Sequence, residues 1–272
     1  GKTTPVDVAM RLLDIIRSIE ESAVPLRPYV AWEEKELIKQ ANASAERFSK
    51  GKPLGILDGV PVSVKDELDM LPFKTMIGTK FYSNQVPKQD ATSVSRLRSA
   101  GALMVGKTNM HEIGLGVTGL NTQYGTTRNP HHLDHYPGGS SSGSAAAVAA
   151  GLSPIALGCD GGGSIRIPAS LCGVVGLKTT WGRISTAGSA PLHWSIGTVG
   201  PITSTAIDMA IAYSFLAGPD KRQSFTQEQP AVDLKNFENT NLKGVKLGIF
   251  NPWFNHASDD VVKCCEQMLN SF

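Results

Sequence analysis

Residues 137–183 read PGGSSSGSAAAVAAGLSPIALGCDGGGSIRIPASLCGVVGLKTTWGR. A flexible linker would explain the glycines and serines, but a linker does not contain apolar segments of helix or strand length. The pattern predicts an alanine-rich helix at Ser144–Ala150, a strand at Pro154–Cys159 and a short helix at Ile167–Leu171. We therefore expect an ordered region in which glycines let the backbone approach its neighbours closely.

Apolar patterns elsewhere in the chain predict further strands and helices. Strands are expected at Gly59–Val64, which delivers Lys65, at Ala102–Val105 and at Val245–Phe250. Helices are expected after a Thr4 cap at Pro5, at Trp32–Phe48, Thr92–Ala100 and Ala206–Leu216, and from Asp259 to Phe272. Strands that alternate with helices indicate an α/β fold with a mixed or largely parallel sheet.

The composition excludes several classes of protein. The chain has 272 residues, 41% hydrophobic and 18% charged, which is typical of a globular protein. A net charge of +2 gives no reason to expect nucleic acid as a partner. The four cysteines form no CxxC pair, which favours reduced thiols in an intracellular protein. No apolar run reaches the roughly 18 residues of a bilayer span, and no signal peptide opens the chain.

Two short motifs match known patterns but lack the context that their chemistry needs. Gly101–Thr108 fits the phosphate-binding pattern GxxxxGK[ST], yet its interior reads ALMV, which predicts a strand whose N–H groups are used in the sheet. Gly139–Gly143 fits the nucleophile-elbow pattern GxSxG, yet a polar loop precedes it where an elbow requires a strand. We therefore expect neither a nucleotide site nor an α/β-hydrolase.

The glycine run before Ser164 has the composition of an anion site. Gly161, Gly162 and Gly163 follow a predicted strand and lead into a short helix, so successive N–H groups can point into one small space. Such a nest suits a tetrahedral oxyanion, and the Ser164 hydroxyl would lie beside it. Ser164 is thus a candidate nucleophile.

A serine nucleophile requires a base. None of the six histidines is well placed in the sequence, and for His111, the best of them, a structural role is the better interpretation. Lys65 ends a predicted buried strand, where lost hydration disfavours the ammonium form. The segment alone equally suits a surface lysine paired with Asp66, so this alternative stays open.

Taken together, four segments resemble the amidase signature family. They are GVPVSVKD at Gly59–Asp66, GKTNM at Gly106–Met110, GGSSSGS from Gly138 and DGGGSIRIP at Asp160–Pro168. The likeness covers about residues 54–217, and the intervals of 75 residues from Lys65 to Ser140 and 24 from Ser140 to Ser164 match that family. The resemblance implies a mixed β-sheet core covered by α-helices on both faces. It also implies that residues 1–272 are one domain truncated at both ends, with the catalytic core at 54–217.

The resemblance assigns roles residue by residue. It implies Lys65 as base, Ser140 as the relay held by a cis peptide, and Ser164 as the nucleophile that forms an acyl-enzyme. The N–H groups of Gly161, Gly162, Gly163 and Ser164 would form the oxyanion hole. Supporting hydrogen bonds would come from Ser141, Asp160 and Arg166. No metal or organic cofactor is implied.

Within the family, the wording is closest to the plant-type fatty acid amide hydrolases. The likeness rests on Met110-His111-Glu112, on YGTTRNP at Tyr124–Pro130 and on the triple serine at Ser140. It implies a small-molecule amide substrate with a fatty acyl chain, such as an N-acylethanolamine. It also allows peripheral membrane association and a homodimer.

Two alternatives stay open on the sequence alone. The chain also resembles, at Gly106–Met110, the amidase component of a tRNA-dependent amidotransferase, which frees ammonia from glutamine. That component usually has a glutamine where Ile167 stands. The other alternative is an inactive relative that only binds, against which the presence of Lys65, Ser140 and Ser164 argues.

Overall fold

The computed structural model describes residues 3–82, 86–226, 228–235, 237–239 and 241–271. They form two compact units, residues 1–232 and 233–272. The helices are α1 Pro5–Glu20, α2 Glu34–Ser49, α3 Thr92–Ser99, α4 Ser142–Ala149, α5 Arg166–Leu171, α6 Ala206–Leu216, α7 Asn251–Phe254 and α8 Asp259–Leu269. The strands are β1 Tyr29–Trp32, β2 Pro61–Lys65, β3 Leu103–Thr108, β4 Ile155–Asp160, β5 Val175–Gly176 and β6 Thr198–Thr203.

All six strands belong to one mixed sheet in the first unit, in the order β1-β3-β2-β4-β6-β5. Strands β3, β2 and β4 are parallel at its centre, whereas β1 joins β3, and β6 joins β4 and β5, in antiparallel pairs. Because β2 has hydrogen-bonded neighbours on both sides, Lys65 is carried by the middle of the sheet. The mixed α/β architecture predicted from the sequence is confirmed.

The alternation of side chains along the strands divides the core between the two faces. Val62 and Val64 of β2 pack in the cluster that contains Leu97 of α3 and Ala212 of α6. Leu103 and Val105 of β3 pack in the cluster with α1 and α2, whose buried members are Ala9, Leu12, Leu13, Ile16, Leu37 and Ala41. Helices therefore cover both faces of the sheet, as expected.

Two local features explain where helices begin and how closely they pack. Thr4 and Asp7 form a capping box at the start of α1, with Pro5 in the first turn. In α4 every residue from Ser142 to Val148 is buried, which requires small side chains. A Cβ on Gly143 would lie 2.3 Å from the Pro28 carbonyl oxygen. The small residues of this segment therefore let α4 lie inside the core.

One predicted strand is wrong and three strands were not predicted. Residues 245–250 are not a strand; Val245, Leu247, Ile249 and Phe250 are all exposed. An apolar alternation becomes a strand only where a sheet edge accepts it. The strands that were not predicted are β1, β5 and β6.

The prediction of one domain with its catalytic core at residues 54–217 stays a prediction; that range falls inside the first unit. The helix predicted from Asp259 to Phe272 is α8, and Phe272 lies outside the described residues. Within the described ranges, every helix is too short or too polar to cross a bilayer.

Candidate active site

Lys65 lies at the carboxyl end of β2 and is completely buried. Its Nζ donates a hydrogen bond to Ser140 Oγ at 2.8 Å and a longer one to the Cys159 carbonyl oxygen at 3.4 Å. The Glu67 carboxylate oxygen Oε2 lies 2.7 Å from the same Nζ. The alternative of a surface lysine paired with Asp66 is wrong, because Asp66 pairs with the buried Lys107 at 3.1 Å.

The backbone around Ser140 fixes the position of its hydroxyl. The Gly139–Ser140 peptide is cis, and the Ser140 carbonyl accepts a hydrogen bond from the His111 N–H at 3.0 Å. The next residue, Ser141, donates its N–H to the Ser164 carbonyl at 3.1 Å. The triple-serine segment and the nucleophile candidate are therefore joined directly through the backbone.

Asp160 organises the glycine loop that follows β4. Its fully buried carboxylate accepts the N–H groups of Gly163, Ile165 and Arg166 at 2.8 to 3.3 Å. The Arg166 guanidinium adds two hydrogen bonds at 3.1 Å. Burial alone would raise the pKa of Asp160, but the hydrogen bonds from Arg166 and from the Ile165 N–H outweigh it and hold the pKa at about 2.

One assignment within the oxyanion hole is wrong in this structure. The Gly163 N–H donates to Asp160 Oδ1 at 2.8 Å, so it is not available to an oxyanion. The N–H groups of Gly161, Gly162 and Ser164 have no hydrogen-bond partner among the described residues. Gly163 has a different need to be glycine: its φ is +136°, and a Cβ would lie 2.6 Å from Ile167 Cδ1.

A cavity of about 580 Å³ contains these groups. Its floor includes Lys65, Glu67, Ser140, Gly161, Gly162 and the half-buried Ser164. Its apolar wall is formed by Leu115, Val117, Leu192, Trp194 and Phe225. The hydroxyls of Ser140 and Ser164 share the cavity but do not hydrogen-bond to each other here. Catalytic hydrogen bonds are often long in an empty site and tighten when substrate binds.

Two functional candidates were missed by the sequence analysis. Glu67 was not considered, because Asp66 directly follows the lysine. Lys178 was missed because it stands in an unremarkable Leu-Lys-Thr context. Its Nζ donates to the carbonyl oxygens of Asp160, Gly161 and, at 2.8 Å, Ile196. Lys178 therefore ties the glycine loop to the loop that carries Trp194.

The histidines and cysteines supply no competing chemistry near this cavity. His111 Nδ1 lies 3.4 Å from the Thr118 hydroxyl, and burial lowers the pKa of the imidazole. Burial raises the pKa of the Cys159 thiol. In the described ranges, no three His, Cys, Asp or Glu residues gather where they could hold a metal ion.

Comparison with known proteins adds relatives to this geometry. A family model described as Amidase matches residues 12–270. A "Fatty acid amide hydrolase" of Arabidopsis thaliana is 43% identical over 98% of this chain and 45% of its own length. The A-type subunit of the glutamyl-tRNA(Gln) amidotransferase of Carboxydothermus hydrogenoformans is 37% identical over 97% of this chain and 55% of its own.

The solved structures agree with the sequence relatives. The native peptide amidase of Stenotrophomonas maltophilia aligns with a TM-score of 0.81 at 35% identity, over 85% of this chain and 48% of that one. The chain thus spans about half the length of the proteins that it matches.

Proposed function

The chain belongs to the amidase family, as its motifs predicted, and from this we propose that it carries the catalytic centre of a serine amide hydrolase. The observation that carries the proposal is the 2.8 Å contact between Lys65 Nζ and Ser140 Oγ, in the floor of a cavity that Ser164 also lines. A buried amine, a buried hydroxyl and a more accessible hydroxyl are the groups that a proton relay to a nucleophile requires.

The proposed reaction begins at Ser164. Its oxygen attacks the amide carbon while its proton passes to Ser140, whose own proton passes to Lys65. The N–H groups of Gly161, Gly162 and Ser164 are the candidate donors to the oxyanion; one such donor typically contributes about 3 kcal/mol to lowering the barrier. The proton then returns through Ser140 to the leaving amine, and water hydrolyses the acyl-enzyme on Ser164.

Fatty acid amides, such as N-acylethanolamines, are the substrates that we propose. Two observations support this class: the plant relatives bear the name fatty acid amide hydrolase, and one wall of the cavity is apolar. Leu115 and Trp194 line the cavity and are 66% and 81% exposed, so they lie at its mouth. Exposed apolar side chains there also support peripheral contact with a membrane that holds such substrates.

Glutamine is the substrate of the second candidate function. The amidotransferase relatives, at 37% to 44% identity, are the reason to keep it. Against it stands the apolar wall, which offers the polar end of glutamine few partners. An inactive binding relative is the third possibility, and the intact Lys65–Ser140 contact argues against it.

A fluorophosphonate probe tests the proposed chemistry. We expect the probe to label the protein on Ser164, and Ser164→Ala to abolish labelling without changing the unfolding temperature. Ser170→Ala, which removes an exposed serine six residues away on α5, is the matched control and should be labelled normally. A folded protein that resists the probe would instead favour the binding relative.

A substrate panel tests the proposed class. Acetamide, glutamine and N-acylethanolamines of increasing chain length are compared by kcat/KM. Since each buried methylene contributes about 0.8 kcal/mol, kcat/KM should rise severalfold per methylene until the apolar wall is covered. Preference for glutamine would overturn the fatty acyl assignment and leave the serine chemistry intact.

A further inference from the structure

Glu67 places a second carboxylate inside the cavity, beside the proposed base. It lies in the turn after β2, only 4% exposed, and lines the same cavity as Lys65 and Ser140. Its Oε2 is 2.7 Å from Lys65 Nζ. Nothing in the proposed relay uses this carboxylate.

The contact between Glu67 and Lys65 is close but poorly directed. Although the two atoms are 2.7 Å apart, Glu67 Oε2 forms no hydrogen bond of acceptable angle with any described residue. A buried carboxylate whose oxygen lacks a hydrogen bond is strongly disfavoured as an anion. Moving one proton from the ammonium to the carboxylate turns two buried charges into two neutral groups, which removes most of that penalty.

The neighbouring carboxylate shows the contrasting arrangement. Asp66 accepts the N–H of Gly78 at 3.0 Å and of Met76 at 3.3 Å, and it pairs with Lys107 at 3.1 Å. Its oxygens are therefore satisfied as an anion, and the buried Lys107 has its own counter-charge. Of the two successive carboxylates, Glu67 is the one left without such support.

Other titratable groups around the pair do not supply that support. Burial raises the pKa of the Cys159 thiol, which the nearby Glu67 reinforces, so this group stays neutral. Burial lowers the pKa of His111, partly offset by Glu112, so the imidazole is neutral at pH 7. The groups that face the pair or its neighbours are Asp66, Asp69, Lys107, His111, Glu112, Cys159 and Asp160.

Resting on the proposed amide hydrolase activity, we propose that Glu67 is a positioning residue that holds the proton of Lys65 in the resting enzyme. The pair then consists of a neutral carboxyl and a neutral amine. When Ser164 attacks, Ser140 takes its proton and gives its own to the amine. Lys65 becomes an ammonium beside a still neutral Glu67, and the oxyanion carries the balancing negative charge. Return of the proton to the leaving amine restores the neutral pair.

The proposal predicts the opposite sign from a simple charge effect. If Glu67 were an anion that only holds Lys65 as an ammonium, its removal would free the base and extend activity to lower pH. If Glu67 stores the proton, its removal leaves Lys65 to lose a proton to solvent, and activity requires higher pH.

The kinetic test compares pH profiles of kcat/KM for the wild type, Glu67→Gln and Glu67→Asp. In Glu67→Gln, we expect kcat/KM at pH 7 to fall about a hundredfold and the acid limb to move up by about one pH unit or more. Glu67→Asp should recover part of the loss. Glu112→Gln, which removes a nearby carboxylate that does not line the cavity, should keep the wild-type profile. An acid limb that stays or moves down would overturn the proposal.

An infrared measurement tests the proton without turnover. Wild-type protein with isotope-labelled glutamate should show, at pH 7, the carbonyl stretch of a buried neutral carboxyl that Glu67→Gln lacks. The labelled wild type alone suffices if that variant does not fold. Absence of the band would overturn the inference, even if Ser164 reacts with the fluorophosphonate. A band in a protein that neither reacts nor hydrolyses amides would leave the inference standing and reject the proposed function.

Discussion

Asp160 determines the shape of the glycine loop at the scale of a single residue. One buried carboxylate collects three backbone N–H groups and the guanidinium of Arg166. By taking the Gly163 N–H, it turns that peptide away from the cavity and leaves those of Gly161, Gly162 and Ser164 without a partner in the described part of the chain. The geometry of the candidate oxyanion site therefore depends on the ionisation of Asp160.

This dependence predicts a stability difference that varies with pH. The pKa of Asp160 is depressed from 3.8 to about 2, so the stabilisation by its anion is fully present above pH 4 and is lost as pH falls through 2. Asp160→Asn should be less stable than the wild type at pH 7, and the gap should narrow between pH 4 and pH 2. Urea denaturation across this range measures it. Asp134→Asn, at an exposed carboxylate, should show no gap; a constant gap for Asp160→Asn would contradict the prediction.

The individual contacts were only partly predictable from the sequence. The Lys65–Ser140 contact follows from a strand end and a family interval. The choice between Asp66 and Glu67 does not, because the alternation of side chains ends with β2 and the following turn decides which carboxylate faces the lysine. The use of the Gly163 N–H was also unpredictable, since three successive glycines look equivalent until one φ is known.

At the scale of elements, strands with continuous apolar runs were predicted and irregular ones were not. Strands β2, β3 and β4 are nearly all buried and read as such. Strand β6 reads TVGPIT, and its glycine and proline normally mark a break. Strand β5 has two residues and β1 has four, too few for a periodic signal.

The β1–β3 pair offers a test at this scale. A Cβ on Gly106 would lie 2.5 Å from the Ala31 carbonyl oxygen, which is backbone and cannot move without disturbing the pair. Gly106→Ala should therefore cost about 2 kcal/mol of unfolding free energy. Gly162→Ala, where nothing lies within 4 Å of the added Cβ, should cost less than about 0.5 kcal/mol. Equal losses in urea denaturation would show that the pair tolerates the methyl group.

For the whole molecule, the hydrophobic clusters identify the part that holds the fold together. Every buried member of the four clusters lies between Ala9 and Leu216, inside the first unit. Helices α7 and α8, in the second unit, bury none of their described residues. The first unit should therefore contain nearly all of the stabilising apolar burial.

Truncation measures this distribution. A chain that ends at Val232 should unfold within about 0.5 kcal/mol of the whole chain, because it keeps every cluster. A chain that ends at Ser204 loses α6 with Ala212 and Leu216, both completely buried, and should not fold. Circular dichroism and urea denaturation of the three chains provide the comparison. A large loss on ending at Val232 would reveal stabilising contacts from residues 233–272.

The proposed base and the cavity wall lie on different kinds of structure. Lys65 is held between two strands, whereas Leu115, Val117, Leu192 and Trp194 stand on loops outside regular elements. Loops accept substitution more readily than central strands. A laboratory-evolution library confined to those four wall positions would thus vary the accepted amides while inheriting one unchanged proton relay, which makes this chain a natural starting scaffold for tailored amidases.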